Sequence, residues 1–171
     1  MERKGLLELG GQDVTIIGPD AEVGGQASDF TVIDNDWNDV KALESTAGKV
    51  RILAAIPSLS TGVCDRETRR FNEEASALNA DIRVLAISQD LPYTQKNWCG
   101  AAGVENVQTL SDQRDAEFGE KYGLLVKERR ILRRAVFVVD RDDKIVYADY
   151  MAALGDEPDY EAVIAAAKAA L

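Results

Sequence analysis

The run Val50-Arg51-Ile52-Leu53-Ala54-Ala55-Ile56, stopped by Pro57, most constrains the fold of this chain. It is apolar almost throughout rather than at alternate positions, so a strand built from it must be covered on both faces. A second run of the same character, Ile82 to Ile87, follows one helix-length later. Between them, from Thr61 or Gly62 to about Leu78, the apolar residues Phe71, Ala75 and Leu78 recur at spacings of four and three, the period of an amphipathic helix. Two buried strands separated by such a helix imply a central sheet with helices packed on it.

The rest of the chain extends that pattern. Leu6 to Leu9, a Gly10-Gly11 turn and Val14 to Ile17 read as a hairpin ending at Gly18-Pro19, an N-terminal extension over residues 1–18. A Gly-rich connection leads to an extended run, Phe30 to Ile33. Pro92 suits the first turn of a short helix that Gly100 and Gly103 weaken or end. Val107 to Leu110 predicts a third strand, and Asp115 to Tyr122 a helix. Ala135 to Val139 and Lys144 to Tyr150 predict a hairpin across residues 140–143, before a closing helix from about Pro158 to Leu171. The expected architecture is one α/β domain over residues 1–171, a three-layer structure with a central mixed sheet and helices on both faces. The order of its elements resembles the thioredoxin-like one with additions.

Bulk properties exclude several functions. A net charge of −10 argues against nucleic acid and anionic membrane surfaces as partners. No stretch approaches the roughly 18 apolar residues of a membrane span. Met1-Glu2-Arg3-Lys4-Gly5 leads into a mixed segment rather than a signal-peptide core, so a cytoplasmic protein is expected. The chain has no histidine, which removes Ser-His-Asp and Cys-His nucleophilic catalysis and most catalytic zinc sites. Its two cysteines are too few for a structural zinc site. In a cytoplasmic chain they are redox-active or inert sooner than a permanent staple.

Cys64 stands at the head of the first long helix. A thiol reacts as its thiolate, and unpaired N–H groups with the helix dipole favour that anion. Thr61, one turn earlier, suits a helix N-cap, and its hydroxyl could also orient a substrate. Pro57 either terminates the strand or shapes the pocket. Arg134 precedes a buried strand and always carries charge; it reads as the site's cation, or as a surface gatekeeper like Arg129, Arg130 and Arg133. Arg133 is the neighbouring register. Cys99, beside Trp98, reads as a small buried hydrophobe or as a reactive sulfur on a short, mobile helix.

The spacing Pro57-x-x-x-Thr61-x-x-Cys64 resembles the active-site motif of peroxiredoxins, and the full run from Pro57 with Arg69-x-Phe71-Asn72 resembles the bacterial thiol peroxidase branch. Further matching blocks are Ser88-x-Asp90-Leu91-Pro92, Trp98-Cys99-Gly100-Ala101, Val107-x-Thr109-Leu110-Ser111, Phe118-Gly119-x-x-Tyr122-Gly123, Arg134-Ala135-Val136 and Glu157-Pro158-Asp159-Tyr160-Glu161. Cys99 lies 35 positions after Cys64, which resembles the atypical two-cysteine branch, whose resolving cysteine sits in that helix of the same subunit. The resemblance implies Cys64 as the peroxidatic thiol, Cys99 as its resolving partner, and Thr61, Arg134 and Pro57 as the rest of the active site. It further implies hydrogen peroxide and alkyl or lipid hydroperoxides as substrates, thioredoxin as reductant, a homodimer, and no metal, haem or flavin. Ala102 departs from the glutamate common at that place in the family, which bears on reductant docking and not on the chemistry. Two other readings differ in kind. A dithiol–disulfide oxidoreductase would use Cys-x-x-Cys, but Thr61 and Glu67 hold the two positions three away from Cys64. A redox sensor would form the same bonds without turning over.

Overall fold

The computed structural model describes residues 1–171. Short strands β1 (Glu2–Arg3), β2 (Glu8–Leu9), β3 (Gln12–Asp13) and β4 (Ile16–Ile17) precede β5 (Thr31–Ile33) and β6 (Asp39–Lys41). The central unit is β7 (Val50–Ala55), α1 (Gly62–Ser76), β8 (Ile82–Ser88), α2 (Pro92–Ala102), β9 (Gln108–Ser111) and α3 (Glu117–Lys121). It is followed by β10 (Leu125–Val126), β11 (Ile131–Leu132), β12 (Ala135–Val139), β13 (Ile145–Tyr150) and α4 (Tyr160–Ala169).

Seven strands form one mixed sheet in the order β13-β12-β7-β8-β9-β5-β6. β7, β8 and β9 run parallel, with Ile52 opposite Val84 and Ala86 opposite Thr109. β12 joins β7 antiparallel, Phe137 opposite Leu53. Side chains alternate across the sheet, which explains the continuous apolar runs. Leu53, Ala55, Leu85 and Ile87 face a core with Phe118, Tyr122 and Phe137. Ile52, Ala54, Val84 and Ala86 face the opposite core with Phe71 of α1 and Val163 and Ala167 of α4. Arg51, the one charge in β7, is fully buried because Asp143 pairs with it at 2.8 Å and Thr46 Oγ1 and the carbonyls of Leu43 and Asp140 accept from its guanidinium.

The N-terminal segment departs from the expected hairpin. β2 and β3 do pair across Gly10-Gly11, and Val14 N–H adds a bond to Leu7 O. Ile16 and Ile17, however, leave it to pair with β1 and β10, completing a second sheet in the order β1-β4-β10-β11. The turn after β4 needs Gly18: its φ is +93°, and a Cβ there would lie 1.9 Å from Glu120 O. Gly100 does not interrupt α2, which continues to Gly103, the left-handed C-cap at φ +67°.

Candidate active site

β7 delivers the chain to buried Pro57, which has no N–H to continue the sheet. α1 then starts at its N-cap Thr61, whose Oγ1 accepts from Cys64 N–H at 3.3 Å and donates to Ser58 O at 3.1 Å. Cys64 is thereby fixed in the first turn with its side chain fully buried. Two donors reach its sulfur: Arg134 Nη2 at 3.1 Å and Ser58 N–H at 3.5 Å. A cation and a backbone dipole thus converge on one atom, the arrangement that favours a sulfur anion.

Arg134 is held on every side. Its Nε donates to Leu154 O at 3.0 Å, Nη1 pairs with Glu67, and Nη2 points at Cys64. Burial works to lower its pKa, yet the Glu67 and Cys64 charges outweigh it and hold the group above the ordinary arginine range. Glu67 lies one turn after Cys64 on the same helix face, fully buried. Burial pushes its carboxyl up to about 7 against the pull of Arg134, and its Oε1 has no hydrogen-bond partner. Arg133, one position earlier, serves elsewhere: it pairs with Asp20 and stacks over Tyr150, 4.5 Å from the ring centroid.

Cys99 sits in α2, half-buried, and both cysteines are free thiols. Its sulfur faces β9 and the turn before β6: Thr109 Oγ1 lies at 3.2 Å and Asn35 Nδ2 at 4.0 Å. A cavity of ≈ 290 Å³ lined by Asp34, Asn35, Cys99 and Thr109 opens beside it. The adjacent Trp98 Nε1 donates to Asp65 Oδ1 at 2.8 Å, so the residues next to the two cysteines are joined.

The structure therefore gathers Pro57, Thr61, Cys64 and Arg134 into one site and leaves Cys99 in a different pocket with separate partners. Sequence reasoning missed Glu67, the Ser58 N–H and the Leu154 carbonyl. Glu67 had a signal: it falls four residues before Phe71 on the inward face of α1, where a carboxylate demands a buried partner. The other two are backbone groups, which no side-chain pattern announces. No three His, Cys, Asp or Glu side chains converge as a metal site, and no helix is long and apolar enough to cross a membrane.

The sheet order, its helices on both faces and the thiol at the β7–α1 junction define a thioredoxin-like protein. A family model described as Redoxin matches residues 22–164. A thiol peroxidase of Bacillus subtilis is 52% identical over 159 residues, spanning 93% of this chain and 94% of that protein. A thiol peroxidase of Oceanobacillus iheyensis is 50% identical over 151 residues, spanning 88% of this chain and 91% of that one. A solved peroxiredoxin-like protein from Aquifex aeolicus superposes with a TM-score of 0.87 at 32% identity, over 98% of this chain and 99% of that chain. The chain belongs to the Redoxin family and, within it, to the thiol peroxidases: it is an enzyme that reduces peroxides at the expense of thiols.

Proposed function

We propose that Cys64 is the thiol that meets the peroxide. The observation that carries this reading is its buried sulfur, 3.1 Å from Arg134 Nη2 at a capped helix N-terminus. The thiolate attacks one peroxide oxygen; the S–O bond forms as the O–O bond breaks, and the departing alkoxide or hydroxide takes a proton. Arg134 holds the sulfur anionic and stabilises charge developing on the oxygens. The Thr61 hydroxyl, with one lone pair on Cys64 N–H, offers the other to the O–H proton of the peroxide. Pro57 keeps the wall of the site free of a competing backbone donor.

Cys99 then attacks the sulfenic sulfur of Cys64 in the same subunit; the S–S bond forms and hydroxide leaves as water. An external dithiol, thioredoxin, reopens the disulfide by thiol exchange and is itself oxidised. Hydrogen peroxide and organic hydroperoxides of the alkyl or lipid kind are the substrates. The working unit is a homodimer in the cytoplasm, and sedimentation of the purified chain tests the dimer.

The deciding experiment is NADPH-linked peroxide consumption with thioredoxin and its reductase. Cys64→Ser abolishes it. Cys99→Ser retains one stoichiometric oxidation of Cys64 and loses thioredoxin-linked turnover. Normal turnover in Cys99→Ser would remove that residue from the mechanism.

A further inference from the structure

Resting on the reading of Cys64 as the peroxide-reactive thiol, we propose that Asp90 is a positioning residue for it, setting the backbone turn that aims the Ser58 N–H at the Cys64 sulfur. The arginine that reaches this sulfur is anchored by Glu67 and Leu154 O. The second donor, Ser58 N–H, lies in a loop with no ladder to hold it: Thr61 fixes the Ser58 carbonyl from the helix side, and the sheet side needs an anchor of its own.

Asp90 supplies that anchor. Three donors converge on its carboxylate: Ser58 Oγ at 2.7 Å, Leu59 N–H at 2.8 Å and Ser88 Oγ at 2.8 Å. An aspartate that only shapes its own turn bonds to backbone about two residues on. This one reaches 31 and 32 residues back along the chain, to the two residues that follow Pro57. It is itself fixed. Its N–H donates to Ser88 Oγ at 3.2 Å, and its carbonyl accepts from Ser111 Oγ at the end of β9. Buried Gln95 of α2 donates to the same Ser88 hydroxyl at 3.0 Å and to Leu110 O at 2.8 Å. The turn carrying Ser58 is therefore referenced to the ends of β8 and β9, and to the start of the helix that bears Cys99.

Charged hydrogen bonds from a carboxylate are the strong ones, and an amide in its place has a single acceptor oxygen. Asp90→Asn cannot serve Leu59 N–H and Ser58 Oγ in the same way, so the turn relaxes and Ser58 N–H drifts from the sulfur.

The test follows the rate of Cys64 alkylation against pH, with peptide mass detection to separate it from Cys99, and the single-turnover rate with hydrogen peroxide. Both are read on the full chain alongside thermal melting. In Asp90→Asn the peroxide rate at neutral pH falls about tenfold, and the alkylation midpoint moves to higher pH. The other ionisable groups near the sulfur, Arg134, the adjoining Asp65 and Glu67, whose carboxyl is raised to about 7, are common to parent and variant, so the difference between the two midpoints reads the change at Asp90. Removing a negative charge alone would move the midpoint to lower pH, so the direction separates lost positioning from altered charge. Ser58→Ala keeps the Leu59 N–H bond to Asp90 and removes the Ser58 Oγ bond to it together with the one Ser58 Oγ accepts from Ser60 N–H at 3.2 Å; it shifts both readouts the same way by about twofold, and it decides the matter if Asp90→Asn does not fold. Profiles and rates equal to the parent's, with only the melting temperature lowered, would overturn the proposal. Loss of all peroxide consumption in Cys64→Ser upholds the role of Cys64 whichever way Asp90 falls.

Discussion

Arg134 serves three acceptors at once, Cys64 Sγ, a Glu67 oxygen and Leu154 O, and only a planar fork of fixed donors can do so. Lysine in its place cannot reach all three. Glu67 carries the cost of this arrangement, since one of its oxygens is buried without a partner. Its carboxyl is pushed from 4.5 to about 7 by burial, with Arg134 opposing the change. The folded state thus binds this proton more tightly than the unfolded chain does. The stability it contributes is complete below about pH 4.5 and is lost as pH rises through about 7. Glu67→Gln is neutral at every pH and has no such slope. The stability of the parent relative to Glu67→Gln should therefore fall between those two pH values and level off above them. The total change is at most about 3 to 4 kcal/mol, since each pH unit between the two values contributes roughly 1.4 kcal/mol. Melting both proteins from pH 4.5 to 8 measures it; a difference constant across that range would show that Arg134 keeps Glu67 ionised throughout.

At the scale of elements, the first turn of α1 and the middle of α2 are coupled through one indole. Trp98 Nε1 donates to Asp65 Oδ1, Arg69 Nε pairs with Asp65 Oδ2 at 2.9 Å, and the Arg69 guanidinium lies 5.7 Å from the Trp98 ring centroid. Burial would raise the Asp65 pKa, but the Arg69 and Trp98 hydrogen bonds prevail and lower it. Cys64 and Cys99 turn to different partners, so a bond between them would form only after each sulfur leaves its own contacts. Asp65→Ala removes a restraint worth about 1 kcal/mol, and disulfide formation after a stoichiometric dose of peroxide should speed up about fivefold. Trp98 fluorescence in stopped flow follows it. A slower bridge would mean that the link aligns the two helices instead of restraining them. These elements were largely legible in the sequence: β7, α1, β8 and the β12–β13 pair are long enough to carry a period. β1, β4, β10 and β11 were not, because two residues have no period and exist as strands only through their partners. The choice of Arg134 over Arg133 was open for a related reason. Neighbours at a strand start point to opposite faces, and which face holds the thiol is a property of the assembled sheet.

The Redoxin match begins at residue 22, so the first four strands lie outside it, yet the whole molecule ties them to the site. Leu7, Leu9, Val14 and Ile16 form a small core with Val126, and Leu154 packs against it. The carbonyl of that same Leu154 accepts from Arg134 Nε at 3.0 Å. The N-terminal extension therefore braces the loop after β13, the loop fixes the guanidinium, and the guanidinium holds the sulfur. Leu9→Ala empties part of this satellite core and should cost about 2 kcal/mol, the low end for a leucine truncation because the cluster is small and can collapse inward. If the brace matters for chemistry, the variant also reacts more slowly with peroxide per folded molecule, since Leu154 O no longer restrains Arg134. The slowing should be several-fold and present well below the melting transition. Single-turnover oxidation at 25 °C, beside a denaturant titration of the same sample, separates the two effects. A lower midpoint with an unchanged rate would make the extension a purely stabilising addition, because a loop that kept its carbonyl in place without Leu9 owes nothing to the strands beneath it.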